Sequence, residues 1–458
     1  MALTVAEKDL KKRELFLEGN ILKGVLTVCV PMAAFQLLNE LFRVFDLAIT
    51  ARINPESVAA VSFFNQLNNS VTAVGTGLSI GAGILIAGFY GAADYENVKK
   101  TVNTTFFLAV GGALLLAISL ILSGKWVLRL ANTPEELVEI GWNYYRVIMV
   151  NLVFVFFNNV YVAIEKARGN GGRILGAAKF TLSGVFVLIF RQGVVMIAFS
   201  TLLSNLLVTL IGIYSLRDPK DVFGISLEYI RMDRLFIKKL FGISLPVMAE
   251  KFAFSTGKVV VNSVGVDYGT QTVGALGVSN SISALSTVPA GSIGDGGASI
   301  IRQNIGSGKK DRALKVFKSV FLVDVAWGTL GFLLTWIFLN PILSVFSGGD
   351  AVFAQLIRQI FLLEMLSNIF LAVHAAIMAL LYAFGYTKLS FGINFARLFI
   401  FRLPILFALK QFTALSGGTA MGIVMMVSNG LTGLFALLVA MVVLRKEYGS
   451  GWIKLLLH

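Results

Sequence analysis

The sequence predicts an all-α membrane protein of twelve transmembrane helices, arranged as two parallel six-helix lobes with pseudo-two-fold symmetry. Three observations predict it. Of 458 residues, 56% are hydrophobic and only 14% charged, with a mean hydropathy of +0.80, too little charge to cover a soluble chain of this length. Apolar stretches of about 20 residues, enough to cross a bilayer, recur twelve times along the chain. The first half also recurs in the second at a constant separation of 215 residues, without gaps. Pro31 in VPMAA returns as Pro246 in LPVMA, Ala59–Ala60 as Gly274–Ala275, and Gly81 and Gly91 as Gly296 and Gly306. A repeat this long is half a protein rather than a solenoid unit.

Residues 1–23 hold Lys8, Lys11, Lys12, Arg13 and several acids, with no apolar stretch before Leu22. That reads as a short cytoplasmic tail or interfacial helix, not a signal peptide. The expected spans are 24–50, 57–88, 103–123, 141–164, 174–190, 193–216, 236–262, 270–300, 314–345, 353–380, 387–411 and 418–444. The N-lobe is then 24–216 and the C-lobe 236–445. A polar linker carrying Pro219, 217–235, joins them, and a cytoplasmic tail, 446–458, closes the chain.

With the N-terminus inside, the predicted cytoplasmic segments hold 27 Lys and Arg against five outside: Arg52, Lys125, Arg129, Arg191 and Lys410. This bias places both termini in the cytoplasm. It also accounts for the net charge of +14 without a nucleic-acid partner. Because six helices per copy is even, both copies enter from the same face and are parallel, not inverted. Cys29, alone in an apolar helix, reads as packing.

Several motifs carry a family resemblance. NELFRVFDLAITARI (39–53), ESVAAVS (56–62), GLSIGAGILIAGFYGAAD (77–94), ARGNGGRI (167–174), IIRQNIGSGKKDRA (300–313) and RLFIFRLP (397–404) resemble the multidrug and toxic compound extrusion (MATE) transporters, in order and spacing, from about residue 20 to 445. The resemblance implies a monomeric secondary antiporter in the plasma or inner membrane, exchanging H⁺ or Na⁺ for organic, often cationic, drug-like molecules. It implies no cofactor and no enzymatic activity, with membrane lipid and a small-molecule substrate as partners. Major facilitator transporters carry a basic loop after helix 2, which GFYGAADYENVKK does not match. A lipid or lipid-linked saccharide flippase of the same superfamily is the alternative, kept open by Lys251, Lys258, Arg397 and Arg402.

Ionisable side chains inside a membrane are costly and so mark candidate sites. Asp46 stands where the resemblance puts the family's first-helix cation-binding carboxylate, and would hold Na⁺ or a proton with Glu40 beside it. Asn39, Arg43 and Asp46 share one helix face, so an Asp46–Arg43 ion pair is the competing reading. Residues 181–193, TLSGVFVLIFRQG, lack the carboxylate that family members often carry in helix 5. Further cavity candidates are Asn65 and Asn69 on helix 2 and Asn158 on helix 4, where interhelical hydrogen bonding, common for amides in bundles, is the favoured reading. Glu250, Lys258 and Asp295 complete the set. Glu250 and Lys258 read evenly as a charge-pair network or as cavity residues; Asp295 stands opposite Ile80 in the first copy, as Asp46 stands opposite Val261 in the second. Glu364 and His374 carry a similar, weaker signal. GSGKKD (306–311) lacks the glycine and hydroxyl residue of a phosphate-binding loop, having Gln303 and Lys310 there, so no ATP site is expected. Gly77 and Gly81 form a close-packing GxxxG step.

Overall fold

The computed structural model describes residues 3–51, 55–130, 135–170, 194–347 and 350–457, but not the side chains of 42–66, 127–141 and a few other positions. The expected span 174–190 lies outside the described residues. Within them the chain is helical, with a single isolated β-bridge between Thr4 and Asp221. A short polar helix α1 (Glu7–Leu17) precedes α2 (Ile21–Ala51), α3 (Pro55–Gly91), α4 (Tyr95–Leu130), α5 (Glu135–Arg168) and α6 (Val194–Ser215). The second half holds α7 (Arg234–Gly265), α8 (Thr270–Gly306), α9 (Lys310–Ile337), α10 (Leu339–Ser347), α11 (Ala351–Glu364) and α12 (Asn368–Phe384). It continues with α13 (Thr387–Phe395), α14 (Leu403–Phe412), α15 (Gly417–Tyr448) and α16 (Trp452–Leu457).

Nine segments among the described residues are long and apolar enough to cross a membrane. Helices α7 and α8 have the length, 32 and 37 residues, but α7 is charged and α8 is rich in Gly, Ser and Thr. Exposed Leu115, Leu122 and Trp126 on α4, and Leu322, Leu334 and Trp336 on α9, form apolar surfaces suited to lipid. Three expected spans are interrupted. The stretch 314–345 splits between α9 and α10, and 353–380 breaks at the 3₁₀ turn Met365–Ser367. The stretch 387–411 passes through a π-helical turn, Ala396–Arg402.

The repeat is written into the helix boundaries. Helix α8 begins and ends 215 residues after α3, and α9 begins 215 after α4. Equivalent turns follow α3 and α8, and each needs a left-handed residue: Ala93 (φ 57°) in one, Gly308 (φ 79°) in the other.

Two compact units result: Met1–Glu14 with Leu41–Phe252, and Leu15–Glu40 with Ala253–His458. Their boundaries fall inside α1, α2 and α7, in α2 some ten and in α7 some seven residues beyond a helix-interior proline. In the first unit the Ser244 hydroxyl of α7 reaches the Leu78 carbonyl at 3.5 Å, and a Cβ on Gly81 would sit 2.5 Å from the Ser244 Cα. In the second unit the Cys29 thiol reaches the Ile293 carbonyl at 3.4 Å, and a Cβ on Gly296 would meet Met32, Val28 and Cys29. These are the same contact, 215 residues apart. Each unit thus recruits the front half of a proline-bearing helix through small residues, the device available where lipid supplies no hydrophobic drive between helices.

The polar segments are folded, not loose. In the first unit Arg168, 3% exposed, pairs with Asp221, lies 3.4 Å from Glu165 and 3.7 Å from Asp9, and stacks on Phe223. The expected linker is held by Lys99, which donates to the carbonyls of Pro219 and Asp221 at 2.7 and 2.6 Å. In the second unit Asn304 and Arg312 each donate to the Phe16 carbonyl at 3.2 Å.

Candidate functional site

The most developed polar cluster lies inside the second unit, around the π-helical turn. In an α-helix, residues five apart point to different faces; i→i+5 winding brings them one turn above another. ARLFIFR therefore presents Arg397 and Arg402 together, and both donate to the side-chain Oδ1 of Asn429. Arg397 donates from Nε at 3.1 Å and Nη2 at 2.9 Å, and Arg402 from Nη2 at 2.7 Å. Arg402 Nε also donates to the Ser428 hydroxyl at 3.1 Å. The Asn429 amide donates to Ser367 Oγ at 3.2 Å, and that hydroxyl donates to the Glu364 main-chain carbonyl at 2.6 Å. The Glu364 side chain, 2% exposed, accepts from Ser279 of α8 at 2.5 Å and lies within electrostatic reach of both arginines. Arg397 and Lys258 both stand over the Phe254 ring, at 5.0 and 4.9 Å from its centroid.

Among the described residues two guanidiniums thus lie within electrostatic reach of the Glu364 carboxyl, with the Lys258 ammonium on the same Phe254 ring as Arg397. The cluster can hold an anionic group. Sequence reasoning grouped Arg397 and Arg402 as cations of a basic cavity but did not join Glu364 to them, and it did not single out Asn429 at all. The usable signal was the run ARLFIFR, with two cations in an apolar stretch.

The other predicted residues separate into local environments. Asn39 is half-buried and donates to Gln36 at 3.2 Å; Glu40 is buried, and the second unit's part of α2 ends there. The side chains of Asp46, Arg43 and Asn65 lie outside the described residues. Asn69 is exposed, and its carbonyl accepts from Thr72 at 3.2 Å. Asn158 belongs to an amide ladder between α5 and α6: it donates to the Asn205 carbonyl at 3.0 Å and accepts from Thr209 at 2.9 Å, while Asn205 donates to Asn151 at 3.0 Å. Glu250 pairs with its neighbour Lys251 at 3.0 Å, and Lys258 with Phe254. Asp295 is half-buried and meets Asp324, a residue that sequence reasoning passed over. Among the described residues no group of three or more His, Cys, Asp or Glu gathers as a metal site.

The MatE family model matches this chain twice, over 31–202 and 246–408, so both matches start on the repeated proline. The probable multidrug resistance protein YoeA of Bacillus subtilis is 25% identical over 332 residues, covering 69% of this chain and 72% of that one. The probable multidrug resistance protein NorM of Thermotoga maritima is 21% identical over 402 residues, 86% of each chain. Among solved structures, an outward-facing multidrug resistance MATE family transporter of the MOP superfamily superposes with a TM-score of 0.88, at 19% identity over 98% of this chain and 100% of that one. A MOP superfamily transporter from Pyrococcus furiosus, whose binding pocket is described as reversed in polarity and suggestive of a different function, gives 0.87 at 19% identity over 96% of this chain and 98% of that one. The structural likeness fixes the fold as twelve helices in two lobes. With both halves matched by the family model, the chain belongs to the MatE family and is a multi-pass membrane transporter, not an enzyme.

Proposed function

We propose that this protein is a multidrug efflux antiporter, exchanging H⁺ or Na⁺ for organic, cationic, drug-like molecules by alternating access of its two six-helix lobes. The observation that carries the reading is the set of relatives named multidrug resistance or export proteins, which align with 69% to 86% of the chain. Asp46 is assigned as the coupling carboxylate, with Glu40 six residues before it on the same helix as a second candidate. Asn39, Asn65, Asn69, Asn158, Glu250, Lys258 and Asp295 are proposed to contact substrate or line its path. The protein works as a monomer in the cell membrane with both termini in the cytoplasm, a topology supported by the 27-to-5 distribution of Lys and Arg.

The test is efflux of a panel of cationic dyes in everted membrane vesicles, driven separately by a pH jump and a Na⁺ jump. One gradient should drive efflux, and Asp46→Asn should abolish that response while the protein still folds. Near-normal transport by Asp46→Asn removes Asp46 from coupling.

A second reading, a lipid or lipid-linked saccharide flippase, is favoured by one observation: Arg397 and Arg402 lie together within electrostatic reach of Glu364, and Arg397 shares the Phe254 ring with Lys258. Absence of dye efflux under both gradients, together with binding of a phospholipid-linked sugar, would select it.

A further inference from the structure

Helix α9 buries a ladder of Phe317, Val320, Asp324 and Gly328. Such a face is expected to be apolar, and Asp324 is the exception. It is 0% exposed, and neither of its carboxylate oxygens has a hydrogen-bond partner among the described residues. The neighbouring rungs are tightly closed. A Cβ on Gly297 would meet Val320 at 2.5 Å, and one on Gly328 would meet Ala372 at 2.5 Å. Asp324 Oδ2 lies 3.7 Å from where a Cβ on Gly294 would sit, and the next residue, Asp295, brings a second carboxylate into electrostatic contact.

Helices α8, α9 and α12 pack against one another around this point. The charged or titratable groups they carry here are Asp295 on α8 and His374 on α12, beside Ala375, whose carbonyl faces Gly294. On α9 itself the nearest charged residue is Lys318, six positions away. A bare carboxylate in such a place carries the full desolvation penalty, and a second carboxylate beside it adds repulsion.

The repeat shows that the scaffold does not require either acid. At the equivalent positions of the first unit stand Ala109 and Ile80, on α4 and α3, which pair as α9 and α8 do. Asp324 is an acid buried in a helix pair whose counterpart packs without one, and with no donor to it among the described residues it calls for a bound species. A proton suits the site, because it needs one lone pair, whereas Na⁺ would need several converging oxygens.

We propose that Asp324, with Asp295 as a neighbouring carboxylate, forms a proton-binding site within the second unit, where Asp324 holds a proton that is released and regained during transport. The cycling part of this claim rests on the ion-driven transport proposed above; the site itself does not.

The experiment uses full-length protein reconstituted in lipid. Infrared difference spectroscopy across a pH titration should show a protonated-carboxyl C=O stretch at neutral pH that shifts in deuterium oxide. The band should vanish in Asp324→Asn and in Asp324→Ala, the residue of the equivalent position, and persist in Asp46→Asn. Efflux driven by a pH jump should fall at least tenfold in both Asp324 variants, with thermal unfolding midpoints confirming that one or both fold. Absence of the band at neutral pH, or its survival in both variants, overturns the site, as does its loss on adding Na⁺ at constant pH. A wild-type band without pH-driven efflux sustains the site and overturns its cycling together with proton-driven antiport.

Discussion

Gly81 and Gly296 occupy the same position of the repeat, yet replacing each by alanine is expected to give different results. At Gly81 the added Cβ would lie 2.3 Å from Ser244 Oγ and 2.5 Å from its Cα, so the obstacle is backbone. Carbon atoms pack at about 3.5–4.0 Å, and α7 must therefore retreat from α3 by roughly 1 Å, forfeiting about a quarter to a half of the dispersion energy along the contact. That overpacking costs about 2–3 kcal/mol, against which alanine returns about 1 kcal/mol of helix propensity. At Gly296 the Cβ meets Met32 Sδ at 3.2 Å, Val28 Cγ1 at 3.3 Å and Cys29 Sγ at 3.4 Å, all side-chain tips that need to yield only a few tenths of an ångström. Relief of that contact and the propensity gain nearly cancel.

Gly81→Ala should destabilise by about 1–2 kcal/mol and Gly296→Ala by about zero. Thermal unfolding in detergent reads the contrast. With roughly 2 cal/mol/K of unfolding entropy per residue, a chain of this length loses about 1 °C per kcal/mol, so replicate scans or chemical unfolding are needed to resolve the pair. Equal midpoints, or a larger loss at Gly296, would refute the claim that the units recruit the front halves of α2 and α7 through this contact.

The turns after α3 and α8 form a second matched pair: Gly308 has open space around a Cβ, so only its left-handed backbone resists substitution, and Gly308→Ala should cost about 1 kcal/mol. Ala93→Gly should stabilise by a smaller amount, since the flexibility of glycine in the unfolded chain offsets part of the relief; opposite signs in the unfolding midpoint check both. Asn429→Leu removes the acceptor for three N–H groups of two arginines and should lower stability by about 2–3 kcal/mol, whereas Asn429→Asp, which keeps an oxygen there, should lose less.

Helix content, span positions and the repeat were legible because they rest on local rules. An α-helix satisfies its own backbone four residues away, and a bilayer demands about twenty apolar residues, so composition and length suffice. The 215-residue separation then predicted the starts of α8 and α9 from those of α3 and α4. Even single side chains were legible through it, as Cys29 stands where Ser244 stands.

Tertiary structure alone decided which polar groups meet. Nothing along α2 marks Glu40 as the place where the second unit's share of that helix ends. Spacing in an α-helix sets Arg397 and Arg402 on different faces, and the π-helical winding that unites them comes from packing against α15. Asp324 sat unnoticed in an apolar run because its significance depends on what is missing around it. The absence of a donor among the described residues is a property of three helices in contact, and no one of them records it.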